Sequence, residues 1–362
     1  MLLQVLPYLS DNAAIIIPIG GFAIGVLFGA TVVLSRFCTM GAIADIINAQ
    51  DYRRFRAWIF AAAVALAGTQ LLVWAGVLNL TETVHLQGRV NWLGALGGGL
   101  VFGFGMVLAG GCPSQNIVRA GGGDLRAAMV LLVVTVFAFV TMTGLLAPLR
   151  SLVEGWTALS LPGGIHPSLD GLAGMLLGGN GNALRLGIAA TLVALALLYC
   201  FGDAAFRRSW RHVLGGAGVG SCAVAGWLVT TLGQDPFAVM NQAPSSLSFV
   251  RPVADTVVYF TRFTGINSMS FGVAVVMGAV LGATMVALAT GRFAIRGFAG
   301  QADTTRNLVG GAMMGLGGVL ALGCSIGQGV TGVSTMAITS FIAFAAMSLG
   351  AAAGVKHLES RV

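Results

Sequence analysis

The sequence predicts an all-α integral membrane protein of about nine spans arranged as two inverted repeats, and three observations carry that reading. Of its 362 residues, 57% are hydrophobic and 9% charged, against roughly 25% charged in an ordinary soluble domain. A soluble chain of this size could not hide so much apolar surface from water. Several stretches of 18 or more residues lack any Asp, Glu, Lys or Arg, which is the length a helix needs to cross a bilayer. The third observation is a repeat. GGLVFGFGMVLAGGC at 98–112 lies without a gap over GGAMMGLGGVLALGC at 310–324, at a fixed offset of 212 and with nine of fifteen positions identical. The 54 glycines fit the same class, because small residues let helices approach closely in lipid.

Taken in order, the apolar runs place spans at about 13–34, 57–78, 92–111, 127–148, 184–201, 213–232, 268–290, 308–323 and 335–355. The first run continues into a full span and lacks a basic flank, so no cleavable leader is expected. The chain 1–362 reads as a single polytopic domain. Alternate connections carry Arg36, Arg53, Arg54 and Arg56; Arg119 and Arg126; Arg207, Arg208 and Arg211; Arg292, Arg296 and Arg306; then Lys356 and Arg361. That is fourteen of the nineteen basic residues, and Arg89, Arg150, Arg185, Arg251 and Arg262 fall on the other side. Positive charge concentrates in the cytoplasm, so the N-terminus is expected outside and the C-terminus inside. The net charge of +7 is then an orientation signal, and nothing supports a nucleic-acid partner.

With that topology, 92–111 runs inward before Cys112 and 308–323 runs outward before Cys324. The copies oppose each other, which gives an inverted pair, 13–148 and 184–355, about an axis in the membrane plane. Upstream, Gly25 and Gly29-Ala30-Thr31 return as Gly278 and Gly282-Ala283-Thr284. Each is followed by Arg-Phe, and then by Cys38 in the first copy and Ala294 in the second.

Of five cysteines, Cys200 and Cys222 sit mid-span without special neighbours and read as small buried hydrophobes. Cys112 and Cys324 differ because each precedes a break. In Gly111-Cys112-Pro113-Ser114-Gln115-Asn116, proline fits only the first turn of a new helix. The run Cys324-Ser325-Ile326-Gly327-Gln328-Gly329-Val330-Thr331-Gly332 is too glycine-rich to be expected as a stable helix. Broken backbone at membrane depth survives only against protein or a polar path, and a helix N-terminus there favours an anion. Ser114, Gln115, Asn116, Ser325 and Gln328 add neutral donors, or else merely cap the broken helices. Ser35-Arg36-Phe37-Cys38-Thr39 is a third site of the same kind, where Arg36 should favour the thiolate or act as a headgroup anchor.

The absences narrow the chemistry. All twelve acids and four histidines are expected in connections or at span margins, so no proton relay is in place. There is no nucleotide loop and no Cys-x-x-Cys, which argues against an ATPase, a metal site, a dithiol enzyme and any bound cofactor. An internal repeat broken at matching points marks a transport site, and a path must hold its ion loosely. Thiols, amides and helix dipoles would do so where Lys or Arg would trap a dianion. A soft, sulfur-bearing inorganic anion suits that lining better than phosphate, for which Arg clamps are the usual choice.

At Ser35-Arg36-Phe37-Cys38, at Gly111-Cys112 with Gln115, and at Gly323-Cys324 with Gln328, the sequence resembles the YeeE/YedE sulfur-transport family. The resemblance covers most of the chain. It implies an hourglass of inverted repeats with nine spans and short re-entrant helices meeting at the midplane, in the bacterial inner membrane. It also implies uptake of thiosulfate handed between thiols, which by position look like Cys38, Cys112 and Cys324. A cytoplasmic TusA-like sulfurtransferase is the implied partner beside membrane lipid. Other readings stay open: a selenium-compound transporter, or a membrane-bound thiol sulfurtransferase that keeps one sulfur as a persulfide.

Overall fold

The computed structural model describes residues 13–86, 90–159, 166–177, 182–234, 243–265, 269–298 and 300–360. Among these the secondary structure is helical, with three isolated bridges and no strand. The first part of the chain holds α1 (Ala13–Ser35), α2 (Thr39–Ala49), α3 (Arg53–Trp74), α4 (Gly99–Leu108), α5 (Pro113–Gly121) and α6 (Leu125–Met142). There follow α7 (Ala147–Thr157), α8 (Leu169–Leu177), α9 (Asn182–Phe201) and the short α10 (Ala204–Arg208). The remainder comprises α11 (Trp210–Leu232), α12 (Val250–Thr261), α13 (Phe271–Ala289), α14 (Gln301–Leu320) and α15 (Ile338–Glu359).

Among the described residues, eight helices are long and apolar enough to cross a membrane. Their outward faces carry Leu27, Leu132, Val136, Leu198, Met285 and Leu349, all exposed, as a helix facing lipid requires. The span expected at 308–323 is the 20-residue α14, whose first two turns carry Asp303, Arg306 and Asn307. One boundary moves. Arg53, Arg54 and Arg56, expected in a connection, form the first turn of α3, where long basic side chains keep their charge at the end while their stems cover apolar surface.

The centre is built on glycine. In α1, a Cβ on Gly25 would strike the carbonyl of Val275, and one on Gly29 the carbonyl of Ala279. From α13, Gly278 meets the carbonyl of Phe22 and Gly282 that of Val26. The contact is reciprocal, backbone against backbone. The two copies of the glycine-cysteine repeat behave alike. Gly98 packs on Gly317 and Ala321, while Gly310 packs on Gly105 and Ala109, so α4 and α14 run antiparallel. Outside them, Gly103 of α4 meets Met347 of α15, and Gly315 of α14 meets Val134 of α6.

Both copies end in a left-handed residue. Gly110 takes φ 71° and, at the same offset, Leu322 takes φ 57°. An L-side chain pays about 1–2 kcal/mol for that conformation, and Gly110 does not. Gly110→Ala should therefore lower stability by about 1–2 kcal/mol, and its Cβ would press on the Arg119 guanidinium. Leu322→Gly should leave stability unchanged or slightly raised, since relief of strain offsets glycine's extra chain entropy of about 0.5–1 kcal/mol. Thermal unfolding in detergent separates the two.

Candidate thiol site at three helix starts

Each of Cys38, Cys112 and Cys324 occupies the residue immediately before a helical segment. Cys38 caps α2, its Sγ accepting from the Gly41 N–H at 3.4 Å. Cys324 closes the break after α14, its Sγ accepting from the Gly327 N–H at 3.3 Å. Cys112 is the cap of α5, where Pro113 holds the first helical position, and its Sγ lies 3.0 Å from Ser114 Oγ. When a backbone N–H engages the sulfur, the S–H proton stays free to donate elsewhere. Cys112 and Cys324 are buried and Cys38 is half-buried.

The three starts converge. Thr39 Oγ1 donates to Ser325 Oγ at 3.1 Å, tying the first turn of α2 to the segment after Cys324. Cys112 lies within electrostatic range of both Cys38 and Cys324. The three starts thus lie near one another, and each helix N-terminus brings partial positive charge to its cysteine. Thr39 belongs to the stretch read as a third site, and its bond to Ser325 is what the sequence does not show. Its one sequence signal is its place directly after a cysteine that begins a helix.

The glycine-rich run after Cys324 corrects an expectation. It is helical after all, passing through a wider π turn at Gly327–Gly332. Packing overrides propensity there: Gly327 abuts Ser248, Gly329 the ring of Phe344, and Gly332 the hydroxyl of Ser340. Such turns recur at functional sites.

The polar residues separate by geometry. Ser114 and Ser325 are buried beside the thiols. Asn116 and Gln328, at matching positions of the two copies, do the same work. Asn116 Nδ2 donates to the Gly111 carbonyl at 2.7 Å, and Gln328 Nε2 to the Ala321 carbonyl at 2.6 Å. Their donor ends hold the breaks together, and Gln328 is left with a buried Oε1 that meets no protein donor. Gln115 lies over Gly111, with its Oε1 likewise unmatched.

Two arginines take unexpected places. Arg36 is exposed, with φ 55°; the guanidinium beside the first turn of α2 is that of Arg54, which lies over Gly41 and pairs with Asp45 at 3.3 Å. Arg119, expected as a simple topology marker, donates to the Gly110 carbonyl at 2.9 Å and to Asp124 Oδ2 at 2.8 Å. Burial works to raise the Asp124 carboxyl, but hydrogen bonds and charge from Arg126 and Arg119 outweigh it and hold it below the ordinary carboxylate range. A depressed carboxylate contributes stability above its unfolded value and loses it as pH falls through the folded one. The anchor beneath Cys112 should therefore persist at neutral pH and release only below about pH 4, which unfolding scans against pH would register. Of the remaining thiols, Cys200 donates to the Arg56 carbonyl at 3.3 Å, and Cys222 is packed inside α11.

Fold and site define a class: a multi-pass helical membrane protein with thiols gathered at broken helices. The profile of the family described as "Sulphur transport" matches residues 34–353, and the chain belongs to that family, the YeeE/YedE family that its motifs resemble. It is a membrane transporter of sulfur compounds. Among its relatives is the thiosulfate transporter TsuA of Escherichia coli K12, 26% identical over 339 residues that make up 92% of each chain. TsuA of Spirochaeta thermophila is 27% identical over 340 residues, 91% of this chain and 96% of that one. The probable transporter YedE of Salmonella typhimurium is 34% identical over 104 residues, 28% of this chain and 24% of its own.

Proposed function

We propose that this protein is a permease that takes up thiosulfate or a close sulfur-bearing anion past Cys38, Cys112 and Cys324. The observation that carries the reading is the convergence of three cysteine-capped helix starts in one buried region. Each cap presents an S–H donor beside a helix N-terminus, with Ser114 and Ser325 adjacent. The soft terminal sulfur of the anion suits the thiols, and its charge suits the dipoles. Two full-length relatives bear the name thiosulfate transporter, which favours that substrate.

The reading extends to architecture. The regions 13–148 and 184–355 act as inverted repeats, supported by the antiparallel α4 and α14 and by the left-handed residue that ends each copy. The N-terminus lies outside and the C-terminus inside the bacterial inner membrane, supported by the arginine distribution. A cytoplasmic TusA-like sulfur carrier receives the product. The protein transports without catalysing.

Uptake of thiosulfate labelled on both sulfurs into proteoliposomes tests this, with sulfate, sulfite and selenite as competitors. Intact, doubly labelled thiosulfate inside supports the permease. Separation of the two labels would replace it with a sulfurtransferase, and stronger competition by selenite would change the substrate. Cys38 is unmatched in the second copy, where Ala294 stands, and Arg54 attends it. Cys38→Ala should slow delivery into vesicles while binding from the outside stays close to wild type. Equal loss of both would remove Cys38 from the exit side.

A further inference from the structure

Trp58, in the second turn of α3, is 2% exposed, and its indole N–H meets no protein acceptor. The other buried tryptophan, Trp227, gives its N–H to Ser334 Oγ at 3.1 Å. A buried donor left unmatched is costly, so native proteins retain one mainly where something other than protein takes the bond.

The surroundings of the ring say what that partner is. Phe37 lies against one part of the indole, with ring centroids 4.9 Å apart, and Phe344 against another at 5.3 Å. Phe37 immediately precedes Cys38. Phe344 covers Gly329 in the π turn that follows Cys324. The indole is therefore clamped between the two segments that carry these thiols, segments already joined by the Thr39–Ser325 hydrogen bond. Both neighbours are apolar rings, so neither can accept the N–H in the manner of an oxygen. An indole N–H is a donor only, which excludes a cation. It is also neutral, so it can hold an anion without trapping it.

We infer that Trp58 contacts the substrate: its N–H donates to an oxygen of the sulfur oxyanion while the anion lies between Cys38 and Cys324. The inference rests on the permease reading above. It adds a division of labour, in which thiols take the soft sulfur end and the indole takes a hard oxygen.

Trp58→Phe keeps a ring in the stack and removes only the donor, provided size exclusion shows the variant recovered folded. Thiosulfate KM in proteoliposomes should rise on the order of tenfold or more, the loss expected for one hydrogen bond to a charged partner, with a smaller change in maximal rate. In wild-type protein labelled at the indole nitrogens, thiosulfate should shift one solvent-protected resonance. That measurement decides the matter if the variant does not fold. An unchanged KM, or a protected resonance that ignores thiosulfate while wild type imports it, overturns the role of Trp58 and leaves the permease standing. Wild type that neither imports nor binds thiosulfate overturns both.

Discussion

Cys324→Ala is expected to reduce thiosulfate uptake to background while folded protein is recovered in wild-type yield. The side chain loses one sulfur atom from a well-packed position, a change of about 1 kcal/mol in stability, too little to unfold the protein. What it removes is the S–H donor and the sulfur that accepts from Gly327. The nearby Gln328 does not replace the donor, because it has committed its amide N–H group to Ala321. Cys112→Ala should behave the same way. Cys200→Ala and Cys222→Ala should keep near-normal uptake, since those thiols lie in α9 and α11 away from the helix starts. The measurement is the initial rate of labelled uptake, normalised to folded protein. Normal uptake by the Cys324 variant would remove the thiol relay as the mechanism.

The largest effect on stability is expected at the α1–α13 crossing. Gly29→Val and Gly282→Val would each thrust a branched side chain into a carbonyl of the facing helix. Overpacking a core costs about 1–3 kcal/mol where side chains can yield. Here the obstacle is backbone, which cannot rotate away, and the cost should exceed about 4 kcal/mol. Neither variant should yield monodisperse protein in detergent. Gly155→Ala and Gly187→Ala, where an added methyl meets open space, should be recovered normally. Recovery of folded Gly29→Val would mean that the two helices can part without loss of the fold.

Much of this was legible in the residues. The apolar runs marked the long helices, and proline after Cys112 marked the start of α5. The glycine run after Cys324 was misjudged for a physical reason. Propensity penalises glycine for the entropy it loses on folding, but here Phe344, Ser248 and Ser340 press on those glycines, and contact outweighs propensity. The partner of Cys38 was illegible for another reason. Arg36 is adjacent in sequence, yet its left-handed backbone leaves it exposed, and the fold brings Arg54 over Gly41 of the same turn instead. Equivalence of Asn116 and Gln328 was available from the fixed offset. Their occupation by backbone carbonyls was not, because it depends on how each break folds back.

The crossing of α1 and α13 carries a mechanical consequence. Where side chains separate two helices, sliding proceeds by rotamer changes, each a small step. Where backbone seats directly on backbone, at Gly25, Gly29, Gly278 and Gly282, there is no such soft coordinate, and packed interiors transmit force with little give. The pair behaves as a single beam. A cycle that needed its two halves to rock past each other would have to unseat all four glycines at once. Movement is cheaper in the pieces hung from the beam, the 11-residue α2 and the nine-residue α5 and the turn after Cys324. Turnover should then have the shallow temperature dependence of a pore that opens by small hinges near its cargo more than the steep one of a rocking carrier.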